Sequence, residues 1–130
     1  MGTRFLLDTN AAIYYFKNSL PEKGKSFLLS ALSGEQVAIS FVSEIEMLAY
    51  TDITPSEEAA ARILILWVNV LWIDEAIVSE AISIRKQTKL KLPDALIAAT
   101  ALVNKLELIT SNIQDFTRVK DLKIINPLSI

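Results

Sequence analysis

Short apolar runs alternate along the chain with longer stretches of mixed polarity. Residues 3–7, 36–40 and 106–110 each carry three apolar side chains in five positions, which is typical of short buried strands. The stretches between them have the character of helices, ended by turn residues such as Gly34. Strands that alternate with helices predict an α/β fold, in which a short, mostly parallel sheet is flanked by helices.

Turn and capping residues set the boundaries of these elements. Thr54-Pro55-Ser56-Glu57 combines an N-cap residue, a proline at the first helical position and a glutamate at the third, which is the pattern of a capping box. The predicted helices cover residues 11–17, 22–33, 42–50, 55–70, 75–89 and 93–105. Further strands are predicted at residues 71–73 and 123–125, with a turn or short helix around residues 115–116.

The helix predicted from Pro93 is apolar on almost every side, and it therefore belongs in the interior. The proline suits the first helical position, where its missing N–H is not a loss. Asp94 follows it in the first turn. This acid either stabilises the helix dipole or has a function, and other acids that converge on it would favour the second interpretation.

Composition limits both the location and the architecture of the protein. With 130 residues, 52% of them hydrophobic and 22% charged, the chain fits a single domain, residues 1–130, with apolar surface to spare for an interface. The longest apolar run is about half of the roughly 20 residues that span a bilayer, and the N-terminus lacks a signal pattern. We therefore expect a cytoplasmic protein that does not associate with membranes.

The chain contains neither cysteine nor histidine. These absences exclude disulfides, thiolate nucleophiles, zinc–sulfur sites, the Ser-His-Asp triad and most transition-metal sites. An enzyme of this composition must use carboxylates, together with a hard cation that is held by oxygen ligands.

Acidic residues gather at one edge of the predicted sheet, where function is found in open α/β folds. Asp8 ends the first strand, and Asp94 opens the helix that leads into the strand at residues 106–110. After that strand come the amide of Asn112 and the carboxylate of Asp115. Each residue also has a local explanation, because Asp8 can cap a helix and Asn112-x-x-Asp115 resembles a capping box.

Two further acids, Glu44 and Glu46, lie in the helix after the second strand. Helical periodicity does not choose between them, because each lies about 100° from Ile45 around the helix axis. Ser43-x-x-Glu46 also matches a capping box, which would give Glu46 a purely structural role.

Clustered carboxylates repel one another, so a site of this kind is stable mainly when a divalent cation neutralises it. Mg²⁺ and Mn²⁺ accept a few carboxylates and keep several waters. A water bound in this way has a lowered pKa and can attack a phosphodiester. The chemistry requires neither histidine nor cysteine.

The net charge of −2 and the pI near 5.1 argue against a passive nucleic-acid coat. Positive charge is concentrated just before Asp94, in a segment without acids. This segment is either a solvated helix end or a phosphate-binding patch next to the acid. Its basic residues are Arg85, Lys86, Lys89 and Lys91.

Five motifs resemble, in order and spacing, those of PIN-domain proteins, specifically VapC-type toxins of type II toxin–antitoxin pairs. The resemblance covers essentially the whole chain. The motifs are Phe5-Leu6-Leu7-Asp8-Thr9-Asn10, Ile39-Ser40 through Glu46, Leu92-Pro93-Asp94-Ala95-Leu96-Ile97-Ala98-Ala99-Thr100-Ala101, Leu108-Ile109-Thr110-Ser111-Asn112 with Asp115-Phe116, and Ile124-Ile125-Asn126-Pro127.

The resemblance implies a PIN-like three-layer sandwich and an endoribonuclease that depends on Mg²⁺ or Mn²⁺. It also implies a homodimer that is silenced by a cognate antitoxin protein. Asp8, Glu46 and Asp94 match the family's three central acids, and Glu46 is preferred to Glu44 because of its spacing from Ser40.

The family's fourth acid varies in position. Here we expect Asp115 to be that acid, as a catalytic residue and metal ligand like the other three, with Asn112 as a polar support. The other supporting polar residues expected in the site are Thr9, Asn10 and Ser40.

The amide of Asn112 keeps a second interpretation open, because it stands in the first position where the fourth acid is expected. That alternative is a PIN-like RNA-binding or protein-interaction module with a weak or inactive metal site. Many relatives also carry glycine where this chain has Ala49-Tyr50, so the local turn is expected to differ. Haloacid-dehalogenase-type phosphatases, receiver domains and dinucleotide-binding domains need acid pairs or glycine motifs that this chain lacks.

Residues 63–68 are apolar on every side of the predicted helix, which is more than one face of a surface helix requires. They form either a core helix or a surface for a homodimer or an antitoxin.

Overall fold

Five parallel strands form one sheet in the computed structural model, which describes residues 2–130. The strands are β1 (Phe5–Leu7), β2 (Val37–Ser40), β3 (Asn69–Leu71), β4 (Glu107–Ile109) and β5 (Ile124–Ile125), and they lie in the order β3-β2-β1-β4-β5. Each pairing between neighbouring strands is parallel. The predicted α/β class with a short, mostly parallel sheet is therefore confirmed.

Helices cover both faces of this sheet and complete three layers. They are α1 (Thr9–Phe16), α2 (Glu22–Ser33), α3 (Phe41–Ala49), α4 (Pro55–Trp67), α5 (Glu75–Gln87), α6 (Leu92–Val103) and α7 (Ile113–Phe116). Within residues 2–130, none of these helices combines the length and the apolar character needed to cross a membrane.

The strands divide their side chains between two apolar clusters, since successive residues of a strand point to opposite faces. Leu6 and Leu108 belong to the cluster that contains buried residues of α5 and α6. Leu7 and Ile109 belong to the cluster formed with α1, α2 and α4. Burial on both faces is typical of parallel sheets and explains why these strands are continuous apolar runs.

The boundary between α4 and β3 differs from the prediction. The helix ends at Trp67 rather than near residue 70, because Val68 adopts an extended backbone. The strand then covers Asn69–Leu71, in register with Ala38–Ser40 of β2, instead of residues 71–73. A continuous apolar run carries no local signal for the point at which helix changes to strand, and pairing with β2 decides it.

Three helix starts also differ from the prediction by one or two residues, and that of α3 is Phe41 rather than residue 42. The helix α1 begins at Thr9, directly after its cap Asp8, rather than at residue 11. The helix α6 begins at Leu92, so Pro93 occupies the second helical position and not the first.

The strand order reverses beside β1. The chain adds β2 and β3 on one side of this strand and then crosses over to add β4 and β5 on the other. A reversal of this kind leaves a crevice outside the carboxyl ends of the two strands at the switch point. Here those strands are β1 and β4, which end at Leu7 and Ile109.

Candidate active site

A cleft of about 330 Å³ lies at the carboxyl ends of the strands and contains most of the acids predicted from the sequence. Its lining comes from α1, α3, α6 and the segment after β4. The lining residues are Asp8, Thr9, Asn10, Ile13, Glu46, Tyr50, Asp94 and Asn112.

Asp8 lies at the base of this cleft and is only 4% exposed. Its backbone N–H donates to the carbonyl of Ile109 (2.9 Å), which fixes the position of the acid beside β4. The Asp8 Oδ1 atom accepts from the backbone N–H of Thr9 at 2.9 Å, and Oδ2 accepts from the hydroxyl of Thr110 at 2.7 Å. Both carboxylate oxygens are thus held by the protein.

Burial raises the pKa of Asp8 to about 6, because the charged carboxylate loses its hydration. The hydrogen bonds from Thr110 and Thr9 lower the pKa, and the nearby charges of Asp94 and Glu46 raise it. Among residues 2–130, no lysine or arginine forms an ion pair with this acid. The protein therefore buries a carboxylate without a cationic partner of its own.

Glu46 reaches the same cleft from α3, and its Oε1 atom lies 2.6 Å from the hydroxyl oxygen of Thr9. Ser43, one turn earlier on the same helix, lies 2.9 Å from that hydroxyl and is fully buried. Glu44 is not part of the cleft lining. The structure thus brings together Glu46 and Asp8, while Glu44 lies elsewhere on the helix.

The capping-box interpretation of Ser43 and Glu46 is wrong. The N-cap of α3 is Ser40, whose Oγ atom accepts from the backbone N–H of Val42 at 3.1 Å. Ser43 therefore occupies the third helical position, where its side chain is free to contact α1. Ser40, expected as a supporting polar residue of the site, stabilises the start of α3 and is not part of the cleft lining.

Asp94 occupies the third position of α6 and is partly buried. Its pKa is raised, mainly by burial and then by the negative charges of Glu46 and Asp115, whereas the positive charge of Lys91 lowers it. These influences show that acids from α3, α6 and α7 share one electrostatic environment.

Asn112 and Asp115 form a pair at the far side of the cleft. The Asn112 Nδ2 atom donates to Asp115 Oδ2 at 3.2 Å, and the Asn112 backbone N–H donates to the Thr110 hydroxyl oxygen at 3.0 Å. Asn112 lines the cleft directly, whereas Asp115, on α7, is not part of the cleft lining. Asn10 approaches the same turn, where its Oδ1 atom accepts a long bond, 3.4 Å, from the backbone N–H of Ser111.

Ser43, Thr110, Tyr50 and Ile13 are site residues that the sequence did not predict. Ser43 carried a usable signal, because residues three positions apart share a helix face and Glu46 follows at that spacing. Thr110 is the last residue of the strand predicted at residues 106–110. The apolar pattern of that strand indicated a packing role only. The contact of Thr110 with Asp8 spans 102 positions of sequence, and no local pattern encodes such a contact.

The four basic residues lie in the last turn of α5, in the loop that follows it and at the N-cap of α6, and all of them are exposed. Lys91 is the N-cap residue of α6, three positions before Asp94. Among residues 2–130, none of the four forms an ion pair with a carboxylate within 4.0 Å. Their positive charge is therefore available to a partner.

The donor set of the cleft fits a hard divalent cation, since its ligand atoms are carboxylate, amide and hydroxyl oxygens. Within the part of the chain that the structure describes, no three acids are already close enough to form a ready-made metal group. Asp8, Glu46 and Asp94 are the acids of the cleft lining that could hold such a cation.

A larger cavity, about 490 Å³, lies at the opposite edge of the sheet, beside Arg4, Lys105 and Glu107. It mixes both signs of charge and contains none of the predicted site residues. The smaller cleft is the chemically distinctive one, since acids from several separate elements meet there.

The PIN domain family model matches residues 5–122 of the chain. A toxin–antitoxin complex from Klebsiella pneumoniae contains a chain that is 32% identical; the match covers 96% of this chain and 98% of that chain, with a TM-score of 0.74. For VapBC-1 from nontypeable Haemophilus influenzae the identity is 27%, with 98% of both chains covered and a TM-score of 0.79.

DNA-bound VapBC from Salmonella typhimurium has a chain of the same fold, with a TM-score of 0.82 at 24% identity over 96% of this chain and 98% of that chain. Among proteins with curated descriptions, none matches the sequence.

Proposed function

The chain belongs to the PIN domain family, and on that premise we propose that it is a Mg²⁺- or Mn²⁺-dependent endoribonuclease. We further propose that it is the toxin of a toxin–antitoxin pair, acting on RNA in the cytoplasm. Family membership and the similarity to toxin–antitoxin structures support a toxin nuclease. The RNA substrate, the divalent metal and the cytoplasmic location go beyond that support and are our own proposals.

The observation that carries the proposal is the convergence of acids from separate elements on one cleft. Asp8, Glu46 and Asp94 are far apart in sequence, and the fold brings them to the carboxyl ends of β1 and β4. The charges of Asp94 and Glu46 both raise the pKa of Asp8. A protein tolerates this electrostatic cost when a cation offsets it, and oxygen-only ligands favour Mg²⁺ or Mn²⁺.

In this proposal Asp8, Glu46 and Asp94 hold the cation, and Asp115 completes the set with support from Asn112. A cation held by these residues would supply an activated water and would neutralise charge that develops on the phosphodiester. Thr110 and Thr9 fix both oxygens of Asp8, so that this acid has little freedom to turn away. Asn10 supports the turn after β4.

We propose that Arg85, Lys86, Lys89 and Lys91 contact phosphates of the RNA. They are exposed, none pairs with a carboxylate of residues 2–130, and they lie on the segment that leads into Asp94. Arginine and lysine on such a segment attract the backbone of a nucleic acid without reading its sequence.

An antitoxin protein and a second copy of this chain are the proposed protein partners. Support comes from the similar chains that occur in toxin–antitoxin complexes and from the apolar surface of α4. Leu64 of that helix is buried, whereas Ile63, Leu66 and Trp67 are 55%, 83% and 60% exposed. The run at residues 63–68 thus supplies both core and surface, and light scattering on the purified chain tests the homodimer.

The decisive experiment compares the wild-type chain with Asp94→Asn on labelled RNA. We expect the wild type to cleave RNA with Mn²⁺ and to stop when EDTA is added. The variant removes one charge with almost no change in shape, so its cleavage rate should fall by roughly 100-fold or more. Circular dichroism provides the control for folding, and a folded variant that still cleaves would contradict the mechanism.

The second candidate function is an RNA-binding or protein-interaction module with a weak or inactive metal site. Two observations favour it: Asn112 is an amide at the cleft, and no three acids among residues 2–130 form a ready-made metal group. In that case wild-type protein would bind RNA and leave it uncut at every Mn²⁺ concentration.

A further inference from the structure

Ser43 is a fully buried polar residue with an unexplained role, since α3 is capped by Ser40 and not by this side chain. Its one side-chain hydrogen bond within residues 2–130 is to the hydroxyl of Thr9, 2.9 Å away on a different helix. A buried hydroxyl must be hydrogen-bonded to offset its lost hydration. The identity of that partner indicates what the residue does.

The hydroxyl of Thr9 connects Ser43 to Glu46. Thr9 has one hydroxyl proton, and its oxygen lies 2.6 Å from Glu46 Oε1 and 2.9 Å from Ser43 Oγ. A hydroxyl group can donate one proton and also accept hydrogen bonds, so Thr9 can contact both side chains at once. The hydroxyl of Thr9 is thus held between Ser43 and Glu46.

We propose that Ser43 is a positioning residue for Glu46, acting through a hydroxyl chain that runs from Ser43 Oγ through Thr9 Oγ1 to Glu46 Oε1. The hydrogen bonds of such a network are coupled, so the loss of one changes the other. The short distance between Thr9 and Glu46 agrees with a charge-assisted bond. The proposal rests on the proposed function, because Glu46 is there a ligand of the cation.

Thr9 also connects Glu46 to Asp8. Its backbone N–H donates to Asp8 Oδ1 while its hydroxyl donates to Glu46 Oε1. One residue thus sets the separation of two acids that come from different elements. Ser43 restricts the position of the Thr9 hydroxyl. The remaining oxygen of Glu46, Oε2, has no hydrogen-bond partner among residues 2–130 and is free for a cation.

The first test measures Mn²⁺ affinity by isothermal titration calorimetry at pH 7.5. Ser43→Ala should weaken binding by about tenfold, as expected for a group that orients a ligand. In the background of Thr9→Val the same serine substitution should have no further effect, since the chain is already broken. The matched control is Thr100→Val, which removes an equally buried hydroxyl whose bond stays within α6; its affinity should equal that of the wild type.

Thr9→Ser guards against loss of folding in Thr9→Val, because it keeps the hydroxyl and should retain both the affinity and its dependence on Ser43. Unchanged affinity in Ser43→Ala would overturn the proposal. So would a tenfold loss that recurs in the Thr9→Val background.

A second readout separates this proposal from the proposed function. In the metal-free protein, urea unfolding of the two single variants and the double variant measures the coupling between Ser43 and Thr9. A non-additive loss supports the hydroxyl chain even if the wild type fails to bind Mn²⁺, an outcome that would overturn the proposed function alone. Additive losses overturn the hydroxyl chain even if the wild type binds Mn²⁺ and cleaves RNA.

Discussion

Asp8 is a carboxylate that the fold holds out of water while two other acids raise its pKa. Hydrogen bonds from Thr9 and Thr110 satisfy its oxygens but do not neutralise its charge. Its pKa of about 6 in the folded chain compares with 3.8 in its ordinary state. The folded protein therefore binds a proton at this position more tightly than the unfolded chain does.

A pH-dependent loss of stability follows for the metal-free protein. The contribution of Asp8 is fully present below pH 4 and is lost as pH rises through about 6, because the buried group must then ionise. Asp8→Asn cannot ionise, so at pH 7.5 the variant should be more stable than the wild type by about 1–2 kcal/mol. The gain is less than the full shift in pKa would give, since an amide satisfies the two donors less well.

Urea unfolding in EDTA at pH 4 and pH 7.5 measures this difference. The wild type and Asp8→Asn should be nearly equal in stability at the lower pH. A variant that is less stable than the wild type at pH 7.5 would show that the burial of charge at Asp8 carries no cost.

At the scale of elements, α2 is joined closely to the C-terminal segment through Gly24. A Cβ atom at this position would collide with the carbonyl oxygen of Pro127. The glycine thus permits the backbone after β5 to approach the helix. Pro127 itself is buried, which confirms that this segment packs against the domain.

Gly24→Ala should therefore destabilise the protein by about 1–3 kcal/mol, as expected when extra volume enters a packed contact. Gly34→Ala is the matched control, because its φ is −83° and its nearest neighbour, Gln36, would lie 3.4 Å from the new Cβ. That variant should change stability by no more than about 0.5 kcal/mol. Thermal unfolding of both measures the contrast, and equal losses would contradict the close-approach argument.

The loop between α5 and α6 supplies the second prediction at this scale. If Lys89 and Lys91 each contact one phosphate, Lys89→Ala/Lys91→Ala should weaken RNA binding. It should also reduce the slope of log affinity against log salt by about 1.4, since each contact to a single strand contributes about 0.7. Fluorescence anisotropy with the uncut RNA, in an Asp94→Asn background, measures the slope.

The control for this charge change is Lys105→Ala/Lys123→Ala, because both lysines line the cavity at the opposite edge of the sheet. It alters the net charge equally and should leave the slope unchanged. Equal effects of the two double variants would indicate attraction by overall charge rather than contact at the α5–α6 loop.

For the molecule as a whole, metal binding, folding and pH are linked through the same cleft. A cation that binds only the folded state stabilises it by about 2.7 kcal/mol at 100 times its dissociation constant. Mn²⁺ should therefore raise the melting temperature at pH 7.5. The increase should be smaller at pH 5, where Asp8, with a pKa of about 6, is mostly protonated in the metal-free protein.

Calorimetric scans with Mn²⁺ and with EDTA at both pH values test this linkage, and Asp94→Asn should show a reduced increase at either pH. An increase of the same size at pH 5 and pH 7.5 would indicate that the cation binds elsewhere on the protein.

The sequence alone determined the class of fold, because buried parallel strands and capped helices leave local patterns. The capping box at Thr54 and Glu57 is present as predicted. The predicted strand ends and the family resemblance also indicated which acids could share a site, and the absence of histidine and cysteine restricted their chemistry. The boundary between α4 and β3 near Val68 could not be predicted from the local sequence, because an apolar run is compatible with helix and strand alike.

Only the tertiary structure decided which acids meet and what holds them. Helical periodicity left Glu44 and Glu46 equivalent, and the packing of α3 beside α1 placed Glu46 at the hydroxyl of Thr9. The contacts of Thr110 with Asp8 and of Ser43 with Thr9 join residues 102 and 34 positions apart. The physical reason is that local patterns report how one element buries its own surface, whereas a site depends on which elements the sheet brings side by side.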